Sequence, residues 1–401
     1  MGSTQVVINA LDSIDTTMTT IIILMITTFF MYRMMKFFNK PLVFGGVFAG
    51  VIISWLNLPK QYFDISSCAT MGDIGVNFYL MILGSRFNYL LLKKRRGSLT
   101  VSIISAIVPF ICGMITGPFI YHYNVLAPIN EFEFSLIVGL CMSIASLSLI
   151  SLFLNQTNLI SKSIGHVGLM AAGIDDLLFW IVYGGLLLAL QKDEIIRYNL
   201  FWTFSIYVIS MTYIFPRLIR YITSHIKSTV ATLAFILCGC LISCVIADSA
   251  NIHQVFGAFV FGLMLPRKNK LITEVCKNLE EFITVFFLPI FFAQVGILAK
   301  INIIDNTNLL LMGLIISLIA FASKFFAVYI PNSYIYKHPE GESAFLASLL
   351  NIRGVTEIIM MRVFHEIGFI STQIFTIFVV SAMVTTWCAT SLVFYFRKYI
   401  N

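Results

Sequence analysis

Two adjacent carboxylates, Asp175 and Asp176, lie inside the apolar stretch GHVGLMAAGIDDLLFWIVYGGLLLALQ, Gly165 to Gln191. At about 1.5 Å of rise per residue they sit roughly 15 Å from its start, near the midplane of a ~30 Å hydrocarbon core. A charge at that depth costs at least ~2.5 kcal/mol on insertion scales, and acids retained there usually mark an ion or proton path. The competing reading is a buried pair that only hydrogen-bonds neighbouring helices. Neighbouring helical residues project about 100° apart, so the two acids cannot serve one spot equally. One can meet a positive partner while the other faces a cavity.

A basic partner at similar depth is Lys324, in LIAFASKFFAVYI. It either pairs with the acids or snorkels to the nearer membrane edge. Farther on, NIRGVTEIIMMR carries Arg353, Gly354 and Glu357 within one turn of one another. Glycine, threonine and paired charges at mid-membrane predict an interrupted helix whose freed backbone groups line a cavity. The stretch GLCMSIASLSLISLF offers Ser143, Ser146, Ser148 and Ser151. These serines either line the same cavity or pack helices and bond back to the preceding turn.

The elements that position these residues follow from composition. Of 401 residues, 59% are hydrophobic and 11% charged, and the mean hydropathy is +0.91. Soluble domains carry about 25% charged residues, so this is an all-α polytopic membrane protein. The net charge of +7 is dispersed between apolar runs, which argues topology and gives no nucleic-acid surface. Cys112, Cys141, Cys238, Cys240, Cys244 and Cys388 fall inside apolar runs without a CxxC pair or histidines at ligand spacing. No metal site, disulfide framework or cofactor is expected. The N-terminus has no basic segment before its first apolar run, so no cleaved signal peptide is expected.

Apolar runs give thirteen predicted spans, roughly 17–33, 41–57, 69–91, 98–121, 132–154, 163–190, 199–216, 228–247, 252–266, 282–299, 308–331, 341–363 and 370–395. Eighteen of the 26 lysines and arginines fall in loops on one side: Arg33, Lys36, Lys40, Lys93, Lys94, Arg95, Arg96, Lys162, Arg217, Arg220, Lys227, Arg267, Lys268, Lys270, Lys277, Lys337, Arg397 and Lys398. The other side has only Lys60, Lys192, Arg197 and Lys300. The asymmetry puts the N-terminus outside and the C-terminus in the cytoplasm, with an odd number of spans. Arg86, Lys324, Arg353 and Arg362 belong to neither set. Spans five and twelve, both read as interrupted, occupy corresponding positions if 41–190 and 252–395 are inverted repeats.

Five blocks resemble, in order, the monovalent cation:proton antiporter-2 family: GIDDLLFW, HQVFGAFVFGLMLP (His253 to Pro266), FFLPIFFAQVGI (Phe286 to Ile297), SKFFA and NIRGVTEII (Asn351 to Ile359). The resemblance spans nearly the whole chain and implies a sodium/hydrogen exchanger-like fold. That fold has thirteen helices, a core domain, a dimerisation domain and two crossing discontinuous helices, and it transports by movement of the core. It implies a homodimer in a cell membrane, with Na+ or K+ and H+ as the transported species. Asp176 then resembles the acid that binds cation or proton in turn, and Asp175 the acid that pairs with Lys324. The Asp-Asp pair with this lysine resembles the electrogenic type, two protons per cation.

Three features depart from that family. Where relatives carry threonine at the first helix break, this chain has Ala145-Ser146-Leu147-Ser148, with Ser146 in its place. Arg86 stands where relatives have a glutamate near the cytoplasmic end of span three, a change expected to alter cation access or pH sensing. The chain ends at Asn401, so no C-terminal regulatory domain is expected. The alternative function is a potassium efflux system or cation channel on the same fold, and Lys324 beside the acids argues against a permeating cation. An intramembrane aspartyl protease needs two acids converging on one water, which adjacent helical residues cannot do, so no enzyme is expected. His166 and His253 near span ends read as interface residues, and Asp248 either solvates an outer turn or gathers cations there.

Overall fold

The computed structural model describes residues 2–38, 40–58, 63–86, 96–123, 129–156, 158–159, 162–190, 194–250, 253–266, 269–299 and 307–400. Eight of the loop cations named above, Lys60, Lys93, Lys94, Arg95, Lys192, Arg267, Lys268 and Lys300, lie outside them. The side chains of Arg96, Ser148 and Arg197 do as well.

All regular structure among the described residues is helical, and each predicted span contains helix. The first four spans are α1 (Gly2–Phe37), α2 (Leu42–Leu56), α3 (Ile65–Arg86) and α4 (Arg96–Tyr121). Span five is divided into α5 (Glu131–Ser143) and α6 (Leu147–Gln156), and span six is α7 (Ser163–Leu190). Then come α8 (Glu194–Ile209) with α9 (Phe215–His225), α10 (Thr229–Ser249), α11 (Gln254–Met264), and α12 (Lys270–Phe282) with α13 (Leu288–Leu298). The series closes with α14 (Thr307–Ile330), the divided α15 (Glu340–Leu350) and α16 (Val355–Glu366), and α17 (Thr372–Phe396). Among the described residues, eight segments are long and apolar enough to cross a membrane, while α2 and α11 are short apolar helices of 15 and 11 residues.

Local chemistry explains several boundaries. Asn130 caps α5 in a reciprocal box with Glu133: its side chain takes the Glu133 N–H, and the Glu133 carboxylate takes the Asn130 N–H. Wider π-helical turns at Ser210–Ile214, Ile283–Phe287 and Pro331–Ile335 lie beside or include Pro216, Pro289 and Pro331. Each proline lacks the N–H that its preceding turn needs, and a locally widened helix re-pairs the freed carbonyls.

The chain forms two units, each drawn from two separate stretches. Unit 1 is Met1–Phe87 with Gln191–Ile297. Its helices approach through glycine: a Cβ on Gly262 would run into the Met81 carbonyl, and one on Gly84 into the Phe259 carbonyl, so α3 and α11 touch backbone to backbone. Such close approach is how helices gain van der Waals contact where hydrophobic driving force is weak. Unit 2 is Asn88–Leu190 with Leu298–Asn401. In it α14 packs on α4, α15 and α17, while α7 packs on α4, α5, α6 and α15.

Candidate ion site at two broken helices

Between α5 and α6, Ile144, Ala145 and Ser146 leave the helix, Ile144 at φ −74° and ψ 142°. A helix that stops inside a membrane leaves its last carbonyls without intrahelical donors, and its C-terminal end carries partial negative charge. Here cations take those carbonyls. Arg353 donates from Nη1 to Cys141 O (3.2 Å) and from Nη2 to Met142 O (2.6 Å), and Lys324 Nζ donates to Ser143 O. Arg353 Nη2 also reaches Ala320 O on α14 at 3.1 Å.

The second interruption meets the first. Helix α15 stops at Leu350 and α16 begins at Val355, with Gly354 as its N-cap at φ 158° and ψ −99°. The Ser146 N–H donates to Ile352 O at 2.9 Å, joining the two breaks. Thr386 on α17 closes the Arg353 backbone, accepting from its N–H (2.9 Å) and donating to its carbonyl (2.7 Å). Glu357, one turn into α16, lies 3.6 Å from Arg353 Nη1, both fully buried. The lysine and arginine beside the breaks thus do structural work that the sequence suggested only as charge pairing.

Against this crossing lie the two acids of α7. Asp175 accepts from Lys324 Nζ at 2.9 Å, and Ser105 Oγ on α4 lies 3.1 and 3.2 Å from its two oxygens. Lys324 is 0% exposed, so it pairs and does not snorkel. Asp176 is 1% exposed, and neither of its oxygens has a hydrogen-bond partner among the described residues. Thr356 Oγ1 and Glu357 Oε2 also have no partner among the described residues. A bare carboxylate held in a protein interior costs several kcal/mol, a cost that a proton or a cation on it would offset.

The other candidates are placed as follows. Ser143 bonds back to Leu140 O at 2.8 Å, while its own carbonyl serves Lys324. Ser146 is fully buried at the break. His166 is exposed near the start of α7, His253 caps α11 by accepting from Val255 N, and Asp248 is exposed in the last turn of α10. Arg362 pairs with Glu366 at 2.7 Å, and Arg86 pairs with Glu280 on α12. Ser105, Thr386 and Glu280 are the contributors that sequence reasoning missed. Ser105 resembles any packing serine in SIISAIV, and nothing in the sequence sets it apart from Ser102.

Apolar helices, two of the spans broken at a shared crossing beside buried acids and a lysine, define a membrane-embedded ion transporter. The chain belongs to the transmembrane sodium/hydrogen exchanger family, whose profile matches residues 21–398. It is 28% identical over 378 residues to the Na(+)/H(+) antiporter NhaS4 of Synechocystis, covering 89% of this chain and 91% of that one. It is 24% identical to cation/H(+) antiporter 18 of Arabidopsis thaliana and 25% identical to K(+)/H(+) antiporter 1 of Saccharomyces cerevisiae. These alignments cover 93% and 88% of this chain but only 48% and 43% of the relatives, so the chain spans about half the length of either. The fold matches the sodium proton antiporter MjNhaP1 of Methanocaldococcus jannaschii with a TM-score of 0.68 at 14% identity, over 95% of this chain and 96% of that one.

Proposed function

We propose that the chain is a secondary active antiporter that exchanges a monovalent cation, Na+ or K+, for protons by alternating access. The observation that carries this is Asp176: a buried carboxylate with both oxygens unpartnered among the described residues, beside an acid already fixed by Lys324 and Ser105. Cation and proton compete for the same oxygens. Exchange becomes obligatory because the empty, charged site is too costly to carry across the membrane. Relatives named for Na(+)/H(+) and K(+)/H(+) exchange support the reaction and leave the cation open.

Asp175 and Lys324 form the second half of the site. If an arriving cation separates this pair, the lysine releases a proton, and two protons leave for one cation, which makes the exchange electrogenic. The inverted repeats are 41–190 and 252–395. They are supported by the two broken helices at corresponding places, and by unit 2 drawing α4–α7 from one stretch and α14–α17 from the other. Unit 2 is the transporting core and unit 1 the dimerisation scaffold of a homodimer. Basic residues place the N-terminus outside and the C-terminus in the cytoplasm of a cell membrane.

The test is proton flux in proteoliposomes under an imposed pH gradient, with sodium or potassium added in turn, for wild type and Asp176→Asn. Collapse of the gradient by one cation in wild type and not in the variant is the expected result, and it names the substrate. Potassium flux that follows the membrane potential without proton movement would replace antiport by a channel.

A further inference from the structure

Arg86 has no place in the exchange site, yet it lines a cavity within unit 1. That cavity, of about 360 Å³, lies among α3, α11 and α12 and is lined by Arg86 and Lys277, by the hydroxyl-bearing Ser85 and Thr273, and by apolar Ile82, Leu265 and Ile272. We infer that it binds the phosphate of an anionic phospholipid headgroup. The guanidinium is suited to such a ligand, because Arg86 uses one terminal nitrogen on Glu280 and has other N–H groups to offer, and its side chain is 44% exposed. Arginine beside lysine is the usual recognition set for phosphate.

Four further features fit this ligand. The cavity reaches Ile272 and Thr273 in the first turn of α12, a 13-residue helix, where the helix dipole favours negative charge. The Ser85 and Thr273 hydroxyls now bond to Ile82 O (2.7 Å) and Asn269 O (3.1 Å) on their own turns, and a rotation about χ1 re-aims them. The apolar side chains suit the glycerol and first acyl methylenes of a lipid, which a soluble phosphate would leave unused. Arg86, Leu265 and Lys277 also lie at the span ends that the basic loops assign to the cytoplasmic face, where leaflet lipids are anionic. Glu280, which Arg86 pairs with, opposes the anion, and Glu274 and Glu281 on the same helix add negative charge that Arg86, Lys270 and Lys277 offset.

The experiment is thermal unfolding of the purified full chain in detergent, titrated with phosphatidylglycerol, phosphatidylcholine or inorganic phosphate. Phosphatidylglycerol is expected to raise the melting temperature, and the other two to leave it unchanged. Lys277→Gln, which leaves the Arg86–Glu280 pair intact, is expected to need about fivefold more phosphatidylglycerol for the same rise. Equal response to both lipids, an unchanged titration in Lys277→Gln, or a rise with inorganic phosphate alone equal to that with phosphatidylglycerol would each overturn the headgroup site.

Discussion

The two units solve the problem of life in a bilayer in different ways. Unit 1 closes its helices by shape: Gly84 and Gly262 let α3 and α11 touch, and polar contacts between its helices such as Tyr207 with Ser243 (2.9 Å) and Asn77 with Gln254 (3.1 Å) are neutral, its Arg86–Glu280 ion pair being partly exposed. Unit 2 also packs through glycine, Gly113 of α4 against Gly139 of α5, and adds buried charge. Among the described residues, every ionisable acid, lysine or arginine that is at most 2% exposed, namely Asp175, Asp176, Lys324, Arg353 and Glu357, belongs to it. Shape is inexpensive to maintain, and buried charge is not. The difference marks unit 2 as the part where stability is exchanged for chemistry.

Substitutions sharpen this contrast when taken in order of expected effect. Asp176→Asn leaves the fold intact, since that carboxylate accepts no hydrogen bond from a described residue, and reduces exchange to the background of empty vesicles. Retained secondary structure by circular dichroism, alongside lost flux, separates the two effects. Arg353→Ala strips the donors from Cys141 O, Met142 O and Ala320 O and leaves Glu357 unpaired. It is expected to cost about 3–5 kcal/mol in unfolding experiments, with transport lost as a consequence.

Three smaller changes test the finer structure of the comparison. Lys324→Gln removes the partner of Asp175, and exchange that persists is expected to lose its response to membrane potential in vesicles of defined voltage. In unit 1, Gly262→Ala pushes a methyl into the Met81 carbonyl. It should lower stability by about 1–3 kcal/mol while leaving the cation preference of the surviving protein unchanged. Ser105→Ala removes one donor from Asp175 and is the mildest, about 1 kcal/mol.

Much of unit 2 was legible in the chain because charge in an apolar span has few innocent explanations. Asp175, Asp176, Lys324, Arg353 and Glu357 announce themselves, and Gly354 marks the second break. The first break was harder to see. Ile144-Ala145-Ser146 contains neither glycine nor proline, and what holds it open, the Ser146–Ile352 hydrogen bond and the cations on the α5 carbonyls, comes from residues about 180 to 210 positions away. Such partners leave no local pattern. Arg86 shows the same limit: its departure from the family was visible, but Glu280, 194 residues on, was not. The division into units was hidden for a related reason, because each unit is assembled from two distant stretches and no linker composition marks the change.

The central claim is that a cation and a proton compete for Asp176, and proton release on cation addition tests it most directly. Sodium or potassium added to unbuffered, detergent-purified protein should release protons in wild type, measured with a pH-sensitive dye. At pH values below the pKa of the site, the cation concentration needed should rise about tenfold for each pH unit of acidification if only the Asp176 proton is displaced, and about a hundredfold if the Lys324 proton leaves with it. Asp176→Asn should remove this release. Equal proton release from wild type and Asp176→Asn would contradict the account and place the exchanging site elsewhere.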